Sequence, residues 1–397
     1  MVFSRLRPGR LVFLTTTTTI GVALGGAVYY RPSATLTTGP NPGHWGGPSH
    51  YLPGKVVTPE HLESQKKFRT TMSNAEVIES PDPAVLKLAR TVVIGVIATV
   101  IELGMNSYGY NKYTPVPSPE YDALLRYALK PHSKTLLTVS NHCCTLDDPI
   151  LFGCILPPSH KWDHRYHRWS LCSQEICFKH PLSAAFFGAG KVMPIKRGDG
   201  VDQPLLLQFC QRAAKPGSWV HLFPEGKIFQ SGSVGSLYFN ARPPAVAADI
   251  GKLKWGVGKV VAHCPNPVAL VPLHHVGMEG VVPQRSDGEL RTYVPQPGNE
   301  AVLRVGREVY VDDIIEEWEA ENGKLWKYGE SGAERWESTR KEKELYSKIA
   351  RRVEEALEDL EREAKADTTP GVVEGYRRIG EIKVFNEQEE EREREAG

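Results

Sequence analysis

Residues 135–149 constrain this chain more than any other stretch. Thr135-Leu136-Leu137-Thr138-Val139-Ser140 is short, apolar and β-branched, and predicts a strand ending just before Asn141. Next comes Asn141-His142-Cys143-Cys144-Thr145-Leu146-Asp147-Asp148-Pro149, with a histidine and an aspartate five positions apart. On one straight helix that offset is about 500° of rotation, which leaves the two side chains about 140° apart and unable to pair. Pro149 removes the difficulty. It disfavours α conformation at Asp148 and suits the first helical position, so a helix is expected to begin there with Asp148 as its cap. Residues 142–147 are then a turn that can fold His142 and Asp147 together at a strand's carboxyl end.

A histidine in that place has a chemical use. Imidazole, with an unperturbed pKa near 6.5, can take a proton from an alcohol at neutral pH, and a carboxylate on its other nitrogen fixes the tautomer and stabilises the imidazolium. Such a base contributes roughly 10²–10⁴-fold. An isolated H-x4-D is more often a capping histidine beside an ordinary turn acid, so the neighbours decide.

Those neighbours follow in order. Gly190-Lys191-Val192-Met193-Pro194-Ile195-Lys196-Arg197-Gly198 reads as a strand closed by two cations. Arg197 can clamp a phosphate bidentately and Lys196 can add a point charge, although a Lys-Arg pair leaving a strand is more often a solvated turn. Ser218-Trp219-Val220-His221-Leu222 reads as another strand and delivers Phe223-Pro224-Glu225-Gly226 at its end. Gly226 permits a tight turn. Glu225 either holds the polar part of an acceptor, or braces the His142 loop, or is a turn carboxylate facing water. A helical stretch over 254–261 and a strand over 267–273 lead into His274-His275-Val276-Gly277-Met278.

Together these blocks resemble the glycerolipid acyltransferase superfamily. His142 and Asp147 match its N-H-x4-D block, Gly190 to Arg197 its phosphate-contact block, Phe223 to Gly226 its F-P-E-G block and Val271-Pro272 its last block, all in the family's order. Glu175-Ile176-Cys177-Phe178-Lys179, the run from Trp219 to Lys227, Leu253 to Lys259 and Pro272 to Met278 look most like the superfamily's phospholipid–lysophospholipid transacylases. The likeness covers roughly residues 121–282. Cys143-Cys144-Thr145 departs from it, since polar, often serine-containing filler is usual there, which puts a role for serine in doubt.

The resemblance implies an α/β acyltransferase fold, His142 and Asp147 as catalytic residues, and Lys196, Arg197, Phe223, Pro224, Glu225 and Gly226 as substrate-binding residues. It further implies CoA-independent acyl transfer between phospholipids and lysophospholipids, cardiolipin and phosphatidylcholine among them, with no cofactor and no metal, on mitochondrial membranes facing the intermembrane space. An acyl-CoA-dependent acyltransferase would share all four blocks, and a non-catalytic lipid-binding scaffold is the rival from another class. An intact His142/Asp147 pair speaks against the scaffold, since binding alone does not need it.

Outside the blocks, composition does the work. A net charge of +1 gives no global attraction to nucleic acid. No acid precedes Glu60, whereas Arg5, Arg7, Arg10, Arg31 and Lys55 do, and Thr15 to Thr19 are all threonine, the pattern of a mitochondrial targeting segment. Residues 11–30 are uncharged and long enough to span about 30 Å as a helix, but five threonines and three glycines weaken that reading. Residues 1–30 are therefore read as a targeting or anchor segment, 31–83 as a Gly/Pro/Ser/Thr-rich disordered linker, 84–311 as the acyltransferase domain, 312–370 as a helical extension and 371–397 as a charged tail, solvated and mostly acidic over 387–395.

Within the domain, residues 91–101 are apolar between Arg90 and Glu102. Eleven residues make only about 17 Å of helix, enough to dip into a bilayer but not to cross it, and a buried core helix fits equally well. Trp162, Trp169 and the cluster Arg165, His167 and Arg168 can serve the same interfacial end. Seven cysteines without a C-x2-C pair predict free thiols, and neither His164/His167 nor His274/His275 has thiolate or acidic partners at ligand spacing. Strands recurring near 135, 169, 191, 218, 268 and 302, with helices from Ser118-Pro119 to Leu129 and after Asp202, predict a mixed or largely parallel sheet flanked by helices. Leu345, Ile349, Val353, Leu357 and Leu360 form the apolar stripe of a charged helix over 336–365 that packs on the core or a partner. The oligomeric state is left open.

Overall fold

The computed structural model describes residues 84–107, 110–130, 132–230, 251–285, 288–292, 294–328 and 337–396. The targeting and linker segments read at 1–30 and 31–83 lie outside them. Helix α1 (Ala84–Glu102), strand β1 (Lys112–Pro115) and helix α2 (Pro119–Leu129) lead into β2 (Thr135–Ser140) and α3 (Asp147–Ile155). Then come β3 (Ser170–Ser173), α4 (Pro181–Ala189), β4 (Val192–Ile195), α5 (Pro204–Ala213), β5 (Trp219–Leu222), α6 (Gly256–Ala262), β6 (Val268–Val276) and β7 (Glu300–Val305). Three helices close the chain, α7 (Asp312–Asn322), α8 (Arg340–Ala366) and α9 (Pro370–Ala396).

The sheet runs β1-β7-β6-β2-β5, parallel throughout except between β6 and β7. The parallel pair β3-β4 adjoins it through a bridge from Trp169 to Val220. The expected mostly parallel sheet with flanking helices is present, and every expected strand is found. β1 is an addition: four residues, Lys-Tyr-Thr-Pro, are too short to signal themselves.

β2 is the central strand, and all six of its residues are buried. Its side chains alternate between two apolar layers. Leu137 and Val139 meet Phe209 of α5, Val257 and Val260 of α6, and Leu345, Ile349 and Val353 of α8, whereas Leu136 meets Leu124 of α2 and Ile150, Leu151 and Phe152 of α3. The hydroxyls that β-branching brings inside are satisfied, with Thr135 Oγ1 donating to Ala213 O at 2.6 Å and Thr138 Oγ1 lying 2.9 Å from His221 Nδ1.

The stripe on α8 packs on the domain core. Thr339 caps the helix in a capping box with Glu342. At Gly258 of α6 a Cβ would lie 2.3 Å from the Tyr346 carbonyl, so only glycine admits the backbone of α8 at that distance. Burying each of Leu345, Ile349, Val353 and Leu357 contributes about 1.5–3 kcal/mol relative to exposure. Where an acidic solvated tail is read at 387–395, helix α9 continues to Ala396, because alternating Glu and Arg are good helix formers.

Three other expectations are corrected. The apolar helix is not eleven residues but nineteen, about 28 Å, followed by a π-helical turn over Leu103–Ser107. Arg90 does not end it: its guanidinium is buried over the Trp169 ring, 4.6 Å from the centroid. Among the described residues, Ala84–Asn106 is the one helix long and apolar enough to cross a membrane. Its inner face, Ala89 and Val93, packs on Phe186 and Ala189, while Val85, Leu88 and Val92 are exposed. The basic cluster is not a surface either, since His167 and Arg168 are buried; Arg165 is exposed but bound to Asp163, and Trp162 is half exposed. Finally, Cys172 and Cys177 are joined in a disulfide, their Cα atoms 6.1 Å apart across the turn that leaves β3, so only Cys143, Cys144, Cys154, Cys210 and Cys264 are free thiols.

Candidate active site

β2 and β5 are neighbours in parallel, so the segments leaving them meet at one edge. His142 follows the end of β2 and Phe223-Pro224-Glu225-Gly226 follows the end of β5. Asp147 itself opens α3, two residues earlier than expected, and no side chain caps the helix. Asp148 is not the cap but the partner of Arg168, whose Nε donates to Asp148 Oδ1 at 2.8 Å. Asp147 turns the other way, and its Oδ2 accepts from His142 Nδ1 at 2.8 Å, Cys143 N at 2.7 Å and Cys144 N at 2.9 Å. The acidic residue at the helix start thus gathers the turn before it.

Burial alone would raise the Asp147 carboxyl. The imidazoles of His275 and His142 and the N–H groups of the turn outweigh it and hold the group below the ordinary carboxylate range. A carboxylate can only accept, so His142 Nδ1 carries the hydrogen and Nε2 keeps the lone pair. Asp147 is fully buried and the His142 side chain 20% exposed, so of the pair only the imidazole reaches the surface.

The F-P-E-G turn is built around the histidine. The Phe223 ring stacks on the imidazole with centroids 4.2 Å apart. Glu225, 1% exposed, accepts the His142 backbone N–H at 3.0 Å, so it braces the loop. Pro224 O accepts from Lys254 N at 2.7 Å, and Phe229 N donates to His142 O at 2.7 Å. Gly226 has φ +75°, a left-handed conformation in which a Cβ would also press on the Lys254 side chain at 3.2 Å.

The cations lie elsewhere on this surface. Arg197 is exposed, and Lys196 is partly exposed with its ammonium 3.0 Å from Asp199. Gln203 braces their turn by accepting from Lys196 N at 3.0 Å and donating to Lys196 O at 3.2 Å. Lys227, directly after the F-P-E-G turn, is held below the usual lysine range by burial and by the Arg197 charge, so the two cations face a common region. Sequence reasoning left Lys227 out of the site; its place right after Gly226 was the available signal.

Three further residues were missed. Asn141 and His275 exchange side-chain and backbone hydrogen bonds across the ends of β2 and β6. Glu279, 2% exposed, accepts from Gly277 N at 2.7 Å and is pushed up to about 7, chiefly by burial, with the Asp147 charge adding to it. Cys143, Asp147 and His275 each bring one ligand-type atom within 4.8 Å of the others, a cluster that spacing along the chain could not reveal. Its chemistry favours hydrogen bonding over metal ligation. Asp147 Oδ2 already has three donors, and burial together with the Asp147 charge pushes the Cys143 and Cys144 thiols well up, so both stay protonated and neither is a nucleophile.

A buried carboxylate paired with a partly exposed imidazole that keeps a free nitrogen, at the carboxyl ends of parallel strands, is an arrangement able to abstract a proton. Residues 126–276 match the family model described as Acyltransferase, and fold and site together define an acyltransferase domain. Within that class the chain is tafazzin-like. It is similar to Tafazzin of Drosophila melanogaster, 34% identical over 47% of this chain and 43% of the relative, and to "Taffazin" of Dictyostelium discoideum, 28% identical over 66% and 82%. It is also similar to N-acylphosphatidylethanolamine synthase of Arabidopsis thaliana, 34% identical over 46% of this chain and 58% of the relative. The chain thus spans about half the length of the first two curated relatives it matches.

Proposed function

We propose that this protein moves acyl chains between phospholipids and lysophospholipids without CoA, remodelling cardiolipin at mitochondrial membranes. The observation that carries the reading is the 2.8 Å bond from His142 Nδ1 to a fully buried Asp147, inside an acyltransferase domain similar to tafazzins. His142 Nε2 takes the proton of a lysophospholipid hydroxyl, whose oxygen attacks the ester carbonyl of a donor phospholipid. As the carbon–oxygen bond to the donor's glycerol breaks, His142 returns the proton to the departing oxygen. One ester replaces another at near-zero energetic difference, so no ATP is consumed and the same residues serve the reverse direction. Arg197, Lys196 and Lys227 hold a phosphate, and Phe223 and Glu225 with the Pro224-Gly226 turn set the acceptor's approach by fixing the His142 loop. The exposed ridge of α1 keeps the site at headgroup depth, where both substrates lie.

The Arabidopsis relative carries a second reading, in which the acceptor is the amine of phosphatidylethanolamine and the product an amide. One experiment separates the readings. Purified protein, stripped of CoA, is given labelled phosphatidylcholine with either lysocardiolipin or phosphatidylethanolamine, and both lipids are followed by mass spectrometry. Acyl gain by lysocardiolipin in step with lysophosphatidylcholine supports the transacylase. Activity only on restoring acyl-CoA leaves the CoA-dependent alternative, and an N-acylated product replaces the acceptor.

A further inference from the structure

We propose that His275 is a positioning residue for the His142–Asp147 pair, clasping the residue on either side of the base while touching no substrate. β2 and β6 run in parallel register, with Ser140 opposite Leu273. Beyond that register the Asn141 side chain continues the ladder: its Nδ2 donates to His275 O at 2.9 Å, and its Oδ1 accepts from His275 N at 3.0 Å. The imidazole of His275 then reaches back. Its Nε2 lies 3.0 Å from Asn141 O, and since a carbonyl only accepts, Nε2 bears the hydrogen. Nδ1 is left without a hydrogen and lies 3.4 Å from Cys143 Sγ, whose thiol also reaches Asp147 Oδ1 at 3.7 Å.

Both ring nitrogens are therefore occupied by residues 141 and 143, the two flanks of His142. Nε2 stands 3.9 Å from Asp147 Oδ2, too far to compete with His142 for that oxygen. His275 is 1% exposed, so it has no path to a lipid. Burial holds it below the ordinary imidazole range against the pull of Asp147 and the Asn141 carbonyl. The result of the clasp is directional. With the Asn141 carbonyl turned towards His275 and the Cys143 side chain pinned, the Cys143 and Cys144 N–H groups point at Asp147, which fixes the carboxylate that orients His142.

The inference rests on the acyl-transfer reading for its kinetic arm only. In the full-length protein, His275→Phe keeps ring volume without hydrogen bonds, and His275→Gln keeps an N–H able to reach Asn141 O. Expected for His275→Phe is a 10- to 100-fold lower kcat, a lysophospholipid KM within about twofold, and an acidic limb of the pH–rate profile displaced to lower pH, because a loosened Asp147 supports the imidazolium less. His275→Gln is expected to restore at least a third of kcat and the wild-type limb. The second arm needs no activity: the low-field proton resonance of the His142–Asp147 bond, identified by its loss in Asp147→Ala, should persist in His275→Gln and vanish in His275→Phe. If His275→Phe does not fold, His275→Asn, whose amide is too short for the carbonyl, must show the same losses. Unchanged kcat and resonance in the Phe variant, equal losses in Phe and Gln with an unmoved pH limb, or a raised KM at constant kcat would each overturn the clasp. A wild-type protein without transfer activity but with the expected resonance pattern would overturn the acyl-transfer reading alone.

Discussion

Replacing Asp147 by asparagine isolates the worth of one buried charge. Three donors converge on a single carboxylate oxygen, so asparagine will turn its own carbonyl oxygen to that place and retain the His142 tautomer and the turn. What is lost is the charge facing the imidazolium. At 2.8 Å and an effective dielectric constant of about 20, a full ion pair is worth roughly 6 kcal/mol. Sharing with two N–H groups and screening on the solvent side of His142 leave about half to two thirds of it, ~3–4 kcal/mol. At tenfold per 1.36 kcal/mol, kcat should fall about 10²–10³-fold. The assay is CoA-free transfer from labelled phosphatidylcholine to lysocardiolipin, with folding checked by circular dichroism. Asp147→Ala, which removes the acceptor as well, should fall further. The two variants also differ from the wild type in acid. Because the Asp147 carboxyl is held low, its stabilisation is present above about pH 4 and is lost as pH falls through the folded value, a slope asparagine abolishes. Turnover within threefold of wild type in a folded Asp147→Asn protein would refute the reasoning, for His142 would then not depend on that charge.

Leu88→Lys with Val92→Lys, on the exposed ridge of α1, should release the protein from anionic vesicles at least tenfold in co-sedimentation, since a lysine at a helix centre costs roughly 2.5–3.5 kcal/mol on insertion scales. The pair is compared with and without residues 11–30, and unchanged pelleting of the folded shorter variant would count against α1 as the membrane contact. Glu279, with a folded value of about 7 against an ordinary 4.5, adds stability that is fully present below pH ~4.5 and disappears as pH rises through ~7, a change of about 3 kcal/mol. Glu279→Gln should therefore flatten the decline of Tm between pH 5 and 8; an identical decline in both proteins would show that another group causes it.

What the sequence made legible follows from local chemistry. Pro149 and the β-branched run before Asn141 place a turn between a strand and a helix, and that turn brings His142 to Asp147. The strand–helix alternation likewise gives the mostly parallel sheet. What stayed hidden depends on contacts between distant residues. His275 and Asn141 are 134 positions apart and meet only because β2 and β6 are neighbours. Arg90 looks like the end of an apolar run until Trp169 covers it. Cys172 and Cys177 carry no spacing signal for a bond, and only the turn after β3 brings them close. Asp148 was assigned a cap because capping is local, whereas Arg168 claims it from twenty residues away.

The position of α8 has a consequence for the order in which the molecule can assemble. The central strand emerges some two hundred residues before the side chains that cover one of its faces, with Leu137 and Val139 waiting for Leu345, Ile349 and Val353. Until those arrive that side is covered only in part, by Phe209 of α5 and Val257 and Val260 of α6, a state prone to pair with other chains. Local helices form in about a microsecond, but closing so long a loop is slow and must precede any reward from packing. A chain truncated near residue 340 would leave the rest of that side uncovered, so an aggregation-prone fragment, and not a shorter enzyme, is the expected product.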